Sequence, residues 1–139
     1  MYKICVFAGT TEGRELVEFL SSQPAQVTAC VATEYGETLL PTADNLTISA
    51  KRLPVDEITQ LLSKTAFDLV IDATHPYAAS ITESISAACQ ATETEYLRLL
   101  RGASALSDDA VYVPNMETAA EFLDSTEGNI LLTTGSKEL

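Results

Sequence analysis

The residues with usable chemistry gather where apolar segments give way to polar turns. The first such junction is Ala8–Gly9–Thr10–Thr11–Glu12–Gly13–Arg14, directly after the apolar run Cys5–Val6–Phe7–Ala8. A turn of small residues between a strand and a helix presents unpaired backbone N–H groups at the positive end of the helix dipole. That setting suits a phosphate. Gly9 would let the phosphate approach the backbone, while Thr10 and Thr11 add hydroxyl groups, one of which can cap the helix. Neither GxGxxG nor GxxxxGK[ST] is present, and the absence of the second argues against a phosphoryl-transferring NTPase. The same residues also read as a plain tight turn with a threonine cap.

Later junctions add charge and a titratable ring. Thr33–Glu34–Tyr35–Gly36 follows the second apolar segment, where a dinucleotide-binding domain often carries an acid for the adenosine ribose. Glu34 is the candidate; it would disfavour a 2′-phosphate, and it reads equally as a solvated loop acid. Lys51–Arg52 follows the third segment and could meet an anion, although such pairs are more often simply exposed. Asp72–Ala73–Thr74–His75–Pro76–Tyr77 holds the sole histidine of the chain. His75 is a candidate proton donor or ligand-orienting group, with a helix N-cap as the plainer reading. Pro76 suits a first helical turn, and Asp72 is expected to hold the loop by accepting backbone hydrogen bonds. Arg98 lies inside an apolar segment and needs a partner if buried. Arg101, near the end of that segment, has the fork to bind an anion bidentately. No Ser–His–Asp arrangement appears.

The elements that must position these residues follow from the apolar patterning. Strands are expected at Tyr2–Ala8, Val27–Ala32, Leu46–Ala50, Phe67–Ala73, Tyr96–Leu100, Val111–Val113 and Asn129–Thr134. Several are apolar on both faces, as in Leu69–Val70–Ile71, which suits parallel strands covered on both sides. Helical periodicity falls between them, at Glu12–Ser21, Pro54–Lys64, Tyr77–Ala91 and Met116–Leu123, the last capped by Asn115. Gly102–Asp109 reads as a polar loop. Strand alternating with helix gives an α/β, Rossmann-like doubly wound parallel sheet with helices on both faces. In such sheets ligands sit beyond the C-terminal strand ends, where the polar junctions lie.

Composition bounds the rest. The chain has 139 residues, 46% hydrophobic and 20% charged, enough for one sizeable core. Its formal net charge of −12 disfavours nucleic acid as a partner, so an anionic ligand would need a local cationic pocket. No run approaches the ~18 apolar residues of a membrane span, so no membrane partner is expected. Cys5, Cys30 and Cys89 form no CxxC pair, and with one histidine they give no metal set. They read as buried free thiols, which fits a reducing, cytoplasmic setting.

Four segments together resemble the precorrin-6A reductases of cobalamin biosynthesis, those acting on cobalt-precorrin-6A included. They are Ala8–Arg14, the specific Asp72–Ala73–Thr74–His75–Pro76–Tyr77–Ala78, the arginine-containing Tyr96–Leu97–Arg98–Leu99–Leu100–Arg101, and Leu132–Thr133–Thr134–Gly135–Ser136–Lys137. The resemblance implies a reductase that transfers hydride from NADPH, with NADH possible, to a double bond of a tetrapyrrole substrate, in a cleft between two Rossmann-like domains. It implies cofactor contacts from Gly9, Thr10, Thr11 and Glu12, and from Gly135, Ser136 and Lys137 across the cleft. His75 would be catalytic, and Tyr77, Arg98 and Arg101 would face substrate. Residues 1–128 would form the first domain, and 129–139 the opening strand and loop of a second, making the chain an N-terminal portion of the enzyme. The family usually begins its first loop with two glycines; Ala8 replaces the first, which is tolerable if its φ is negative. A non-catalytic nucleotide-binding module and another dinucleotide-dependent oxidoreductase are the alternatives. The second would be expected to carry Tyr-x-x-x-Lys, and neither Tyr35 nor Tyr77 has a lysine four residues on.

Overall fold

The computed structural model describes residues 1–102 and 108–133. The chain divides into two compact units, Met1–Gly102 and the residues beyond it.

In the first unit, strands and helices alternate: β1 (Tyr2–Ala8), α1 (Thr11–Ser21), β2 (Ala25–Val31), α2 (Glu34–Thr38), β3 (Leu46–Ala50), α3 (Val55–Thr65), β4 (Leu69–Ala73), α4 (Ala79–Ala91) and β5 (Glu95–Arg98). The strands form one sheet in the order β3-β2-β1-β4-β5, with every pairing parallel. The expected α/β, doubly wound architecture is therefore present. Its strand order reverses between β1 and β4, and that reversal opens a crevice at the C-terminal strand ends.

Strand alternation sorts the core into two layers. Cys5 and Phe7 of β1 face one side with Cys30 and Val70, packed on Ile58 and Leu62 of α3 and Ile85, Ala88 and Cys89 of α4. Val6 and Ala8 face the other side with Val27, Ala29, Val31 and Ile71, packed on Val17 and Leu20 of α1. The three cysteines are buried free thiols, and the Cys5 and Cys30 sulfurs lie 4.0 Å apart. That contact, with burial, pushes the Cys5 thiol well up. These thiols are packing groups rather than nucleophiles.

Several sequence expectations need correction. The Thr33–Gly36 turn is the start of a short helix, α2, capped by the Thr33 hydroxyl, which accepts from the Gly36 N–H at 3.0 Å. Pro54 is the N-cap of α3 rather than its first residue. Helix α4 begins at Ala79, not Tyr77, because His75–Ala78 closes as a turn first, with the Ala78 N–H on the His75 carbonyl at 2.9 Å. Pro76 thus presets a β-turn position, where its fixed φ is equally favoured. Val111–Val113 and residues 129–133 are not strands: they have no ladder partner among the described residues, and an apolar run without a neighbouring strand cannot form a sheet. Helix α5 (Met116–Asp124) is present in the second unit, and its Asn115 cap accepts from the Thr118 N–H at 2.8 Å.

Candidate functional site

The β1 and β4 turns meet at the point where the strand order reverses. The Gly9 N–H donates to the Ala73 carbonyl at 3.3 Å, and the Thr10 hydroxyl donates to the same oxygen at 2.9 Å. Thr10 also caps α1, its hydroxyl accepting from the Gly13 N–H at 3.1 Å. One side chain therefore ties the helix start to the neighbouring strand end. Arg14 N–H bonds the Thr10 carbonyl, so the N–H groups of Thr11 and Glu12 precede the first intrahelical bond. Such first-turn N–H groups are the donors that a helix start can offer to an anion.

The glycines explain the closeness. A Cβ on Gly13 would sit 3.1 Å from both the Ala8 Cα and the Ala73 Cβ, so only glycine lets α1 lie this tightly against β1 and β4. A Cβ on Gly9 would meet nothing nearer than the Thr74 Cα at 3.6 Å, so the fold does not demand glycine there. Its missing side chain keeps the cradle open. Ala8 ends β1, and the described non-glycine residues with positive φ are Ala66 and Glu93, so alanine at position 8 is unstrained.

Beside this cradle lies a buried carboxylate. Asp72 has no solvent exposure. Its Oδ1 accepts from the Thr74 N–H (3.0 Å), the Thr74 hydroxyl (2.7 Å) and Arg98 Nη1 (2.9 Å). Its Oδ2 accepts from the Thr82 hydroxyl (2.9 Å) and the Tyr96 hydroxyl (3.0 Å). The loop-holding role expected of Asp72 is present in the Thr74 N–H bond, and the set is wider than the sequence indicated. Arg98 finds the partner it needs. Its Nη1 also reaches the Asp72 and Thr74 carbonyls at 3.0 and 2.9 Å, and its Nη2 the His75 carbonyl at 3.4 Å. Burial and the Asp72 carboxylate push the Tyr96 phenol up to about 12. Burial, with the Asp72 charge second, pushes the Cys89 thiol up to about 11.

The turn carried by this network is exposed at the sheet edge. His75 Nδ1 accepts from the Tyr77 N–H at 3.2 Å. The two rings lie 5.3 Å apart, tilted by 44°, and Tyr77 is 91% exposed. The N-cap of α4 is Ala78, so the capping alternative for His75 does not apply. With Nδ1 accepting, a neutral ring carries its proton on Nε2.

Arg101 crosses to the other wall. Its Nε and Nη2 donate to the Glu12 carboxylate at 2.7 and 3.3 Å. The guanidinium, aided by Glu12's own backbone N–H, holds that carboxyl down at about 2. Glu12 is therefore anionic, and its own backbone N–H serves that carboxylate. Thr11 accepts from Arg14 Nη2 at 3.2 Å. Glu34 lies exposed in the first turn of α2, and Lys51 pairs with Glu57 at 2.6 Å. Gly135, Ser136 and Lys137 lie outside the described residues. Thr74, Thr82 and Tyr96 are the participants that sequence reasoning missed.

Comparison with known proteins identifies the family and the fold. A family described as precorrin-6x reductase CbiJ/CobK matches residues 3–139. The cobalt-precorrin-6A reductase of Priestia megaterium is 31% identical over 98% of this chain and 53% of its own length. That of Methanothermobacter thermautotrophicus is 32% identical over 91% of this chain and 42% of its own. The chain thus spans about half the length of the curated relatives it matches. A solved structure described as CobK precorrin-6A reductase superposes with a TM-score of 0.70 at 27% identity, covering 87% of this chain and 48% of that one. A Rossmann-fold NAD(P)-binding family protein from Shigella flexneri shares the fold, with a TM-score of 0.58 at 18% identity over 70% of this chain and 50% of that one. No helix among the described residues is long and apolar enough to cross a membrane. The matched span and the paired β1 and β4 turns lead to one assignment: the chain belongs to the precorrin-6x reductase CbiJ/CobK family.

Proposed function

We propose that this chain binds a reduced nicotinamide dinucleotide, NADPH with NADH as the alternative, in the crevice between the β1 and β4 turns. There it serves a reductase of a corrin precursor, precorrin-6A or its cobalt form, in the cytoplasm. The observation that carries the reading is the junction of the two turns through Gly9, Thr10 and Ala73. It sets a glycine cradle and the start of α1 against the His75 turn. The names of the relatives, cobalt-precorrin-6A and precorrin-6A reductase, support the substrate.

The residues fit such a cofactor. The Thr11 backbone N–H at the start of α1 holds a phosphate, and Gly9 leaves it room. When bound, the nicotinamide supplies the hydride, and the protein supplies orientation and charge. His75 donates a hydrogen bond from Nε2 to a ligand acceptor, and Tyr77 offers a flat apolar face beside it. Between the roles of proton donor and orienting group, the Nδ1 contact favours orientation. A neutral ring that keeps Nδ1 as acceptor gives up no proton without becoming an anion. Arg101 meets a ligand anion by exchanging it for the Glu12 carboxylate.

Calorimetric titration of the chain with NADPH, NADH and a tetrapyrrole, each alone, tests the reading. NADPH is expected to bind. Binding of the tetrapyrrole with neither nucleotide would sink the cofactor assignment. Tighter binding of NADH than NADPH would transfer it to NADH and give Glu34 the ribose role.

A further inference from the structure

The turn that carries His75 is held from beneath by groups that make no use of its imidazole. Arg98 Nη1 sits on the carbonyl of Thr74, and Nη2 on that of His75. The arginine is itself fixed by Asp72, which is fully buried and also holds the hydroxyls of Thr82 and Tyr96. The carboxylate thus draws α4 and β5 together under the turn. Above them the turn closes through the Ala78 N–H on the His75 carbonyl, with Pro76 fixing its φ. This closure brings the Tyr77 N–H to His75 Nδ1. A histidine on a loose loop divides between its two neutral forms. One whose Nδ1 accepts a backbone N–H is confined to the form protonated at Nε2.

We propose that Arg98, anchored by Asp72 and Tyr96, is a positioning residue that locks the His75–Ala78 turn, so that His75 presents one tautomer with Nε2–H as its donor. The assignment of that donor to a ligand rests on the proposed function; the lock itself does not. A guanidinium is required because one planar fork must serve the Asp72 carboxylate and two successive carbonyls together. A lysine ammonium in the same place could keep the charge pair without bridging the turn.

The chain has a single histidine, so its ring nitrogens are unambiguous in a long-range proton–nitrogen NMR spectrum of the nitrogen-15-labelled chain. The expected wild-type pattern is that of the Nε2–H tautomer. Arg98→Lys is expected to move it toward a tautomer average and to speed exchange of the Tyr77 amide about fivefold, the loss of one ordinary hydrogen bond. Far-UV circular dichroism should be retained. Tyr96→Phe, a milder change, should move both readouts in the same direction, and it carries the test if the lysine variant fails to fold. An averaged pattern in the wild type overturns the proposal. So does a pattern that neither variant alters. Titration of the same labelled chain with NADPH separates the two claims: a locked tautomer without NADPH binding rejects the cofactor reading and leaves the lock standing.

Discussion

Asp72 carries its charge at zero exposure, and Arg98 is its cationic partner, with the arginine side chain 18% exposed. Breaking such a pair by removing one member leaves a buried charge uncompensated. Asp72→Ala is therefore expected to destabilise the first unit by about 3–5 kcal/mol, read from the shift in a urea unfolding curve. A shift below about 1 kcal/mol would mean that solvent reaches the site. The exposed Glu12–Arg101 pair behaves differently. Its carboxyl falls from 4.5 to about 2 in the folded chain, chiefly through the Arg101 hydrogen bonds. A depressed acid stabilises the fold fully above its unfolded value. That contribution disappears as pH falls from about 4.5 through about 2. Arg101→Ala should return the Glu12 carboxyl toward the ordinary carboxylate range, seen in a pH titration of its side-chain carbon by NMR. An unchanged titration would show that the ion pair does not persist in solution. At this scale His75 and Arg98 were legible, one as the sole histidine and the other as a charge inside an apolar strand. Thr82 and Tyr96 were not. Each looks ordinary in its own element, and only the packing of α4 and β5 on β4 brings both hydroxyls to one carboxylate.

Among the elements, the link between α1 and the sheet depends on two glycines with different duties. At Gly13 an added Cβ would press on the Ala8 backbone and the Ala73 side chain at 3.1 Å, neither of which can give way inside a buried strand pair. Overpacking of this kind costs about 1–3 kcal/mol, and the helix propensity gained on replacing glycine returns at most about 1. Gly13→Ala should thus be net destabilising, by about 1 kcal/mol in a thermal or urea transition. At Gly9 the added Cβ makes ordinary contact at 3.6 Å, so Gly9→Ala should leave stability within about 0.5 kcal/mol. It should nevertheless weaken NADPH binding by narrowing the cradle. Equal NADPH affinity in wild type and Gly9→Ala would remove the cradle from the proposed site. The strands and helices that bear this geometry were readable because their apolar residues repeat with the period of buried elements. Helix α2 was not, since Glu34–Thr38 is too short to show a period; its one signal was the Thr33 cap. Val111–Val113 and 129–133 misled for the opposite reason. Their apolar runs look like strands, but a strand is defined by its neighbour, and no sequence pattern supplies one.

Among the described residues, burial is concentrated in one unit. Both apolar layers are built from residues of Met1–Gly102, and no residue among 108–133 is buried. The helix there, α5, has nine residues, shorter than the ~12–15 at which an isolated helix becomes more than marginal in water. Its Asn115 cap contributes on the order of 1 kcal/mol, which does not compensate for absent burial. The five-stranded unit, by contrast, closes its own sheet and covers both faces with helices. Opening free energies should differ accordingly, near the global value in β1 and β4 and close to zero in α5. Limited proteolysis should cut first within 108–133 and leave a resistant core ending near Gly102. A chain terminated at Gly102 should keep a single cooperative urea transition. It should also keep the Asp72–Arg98 network and the His75 turn, because every group in them lies before Gly102. If that shorter chain unfolds without a transition, residues beyond Gly102 contribute to the first unit's core, and the division of the chain into two units fails as a description of its energetics.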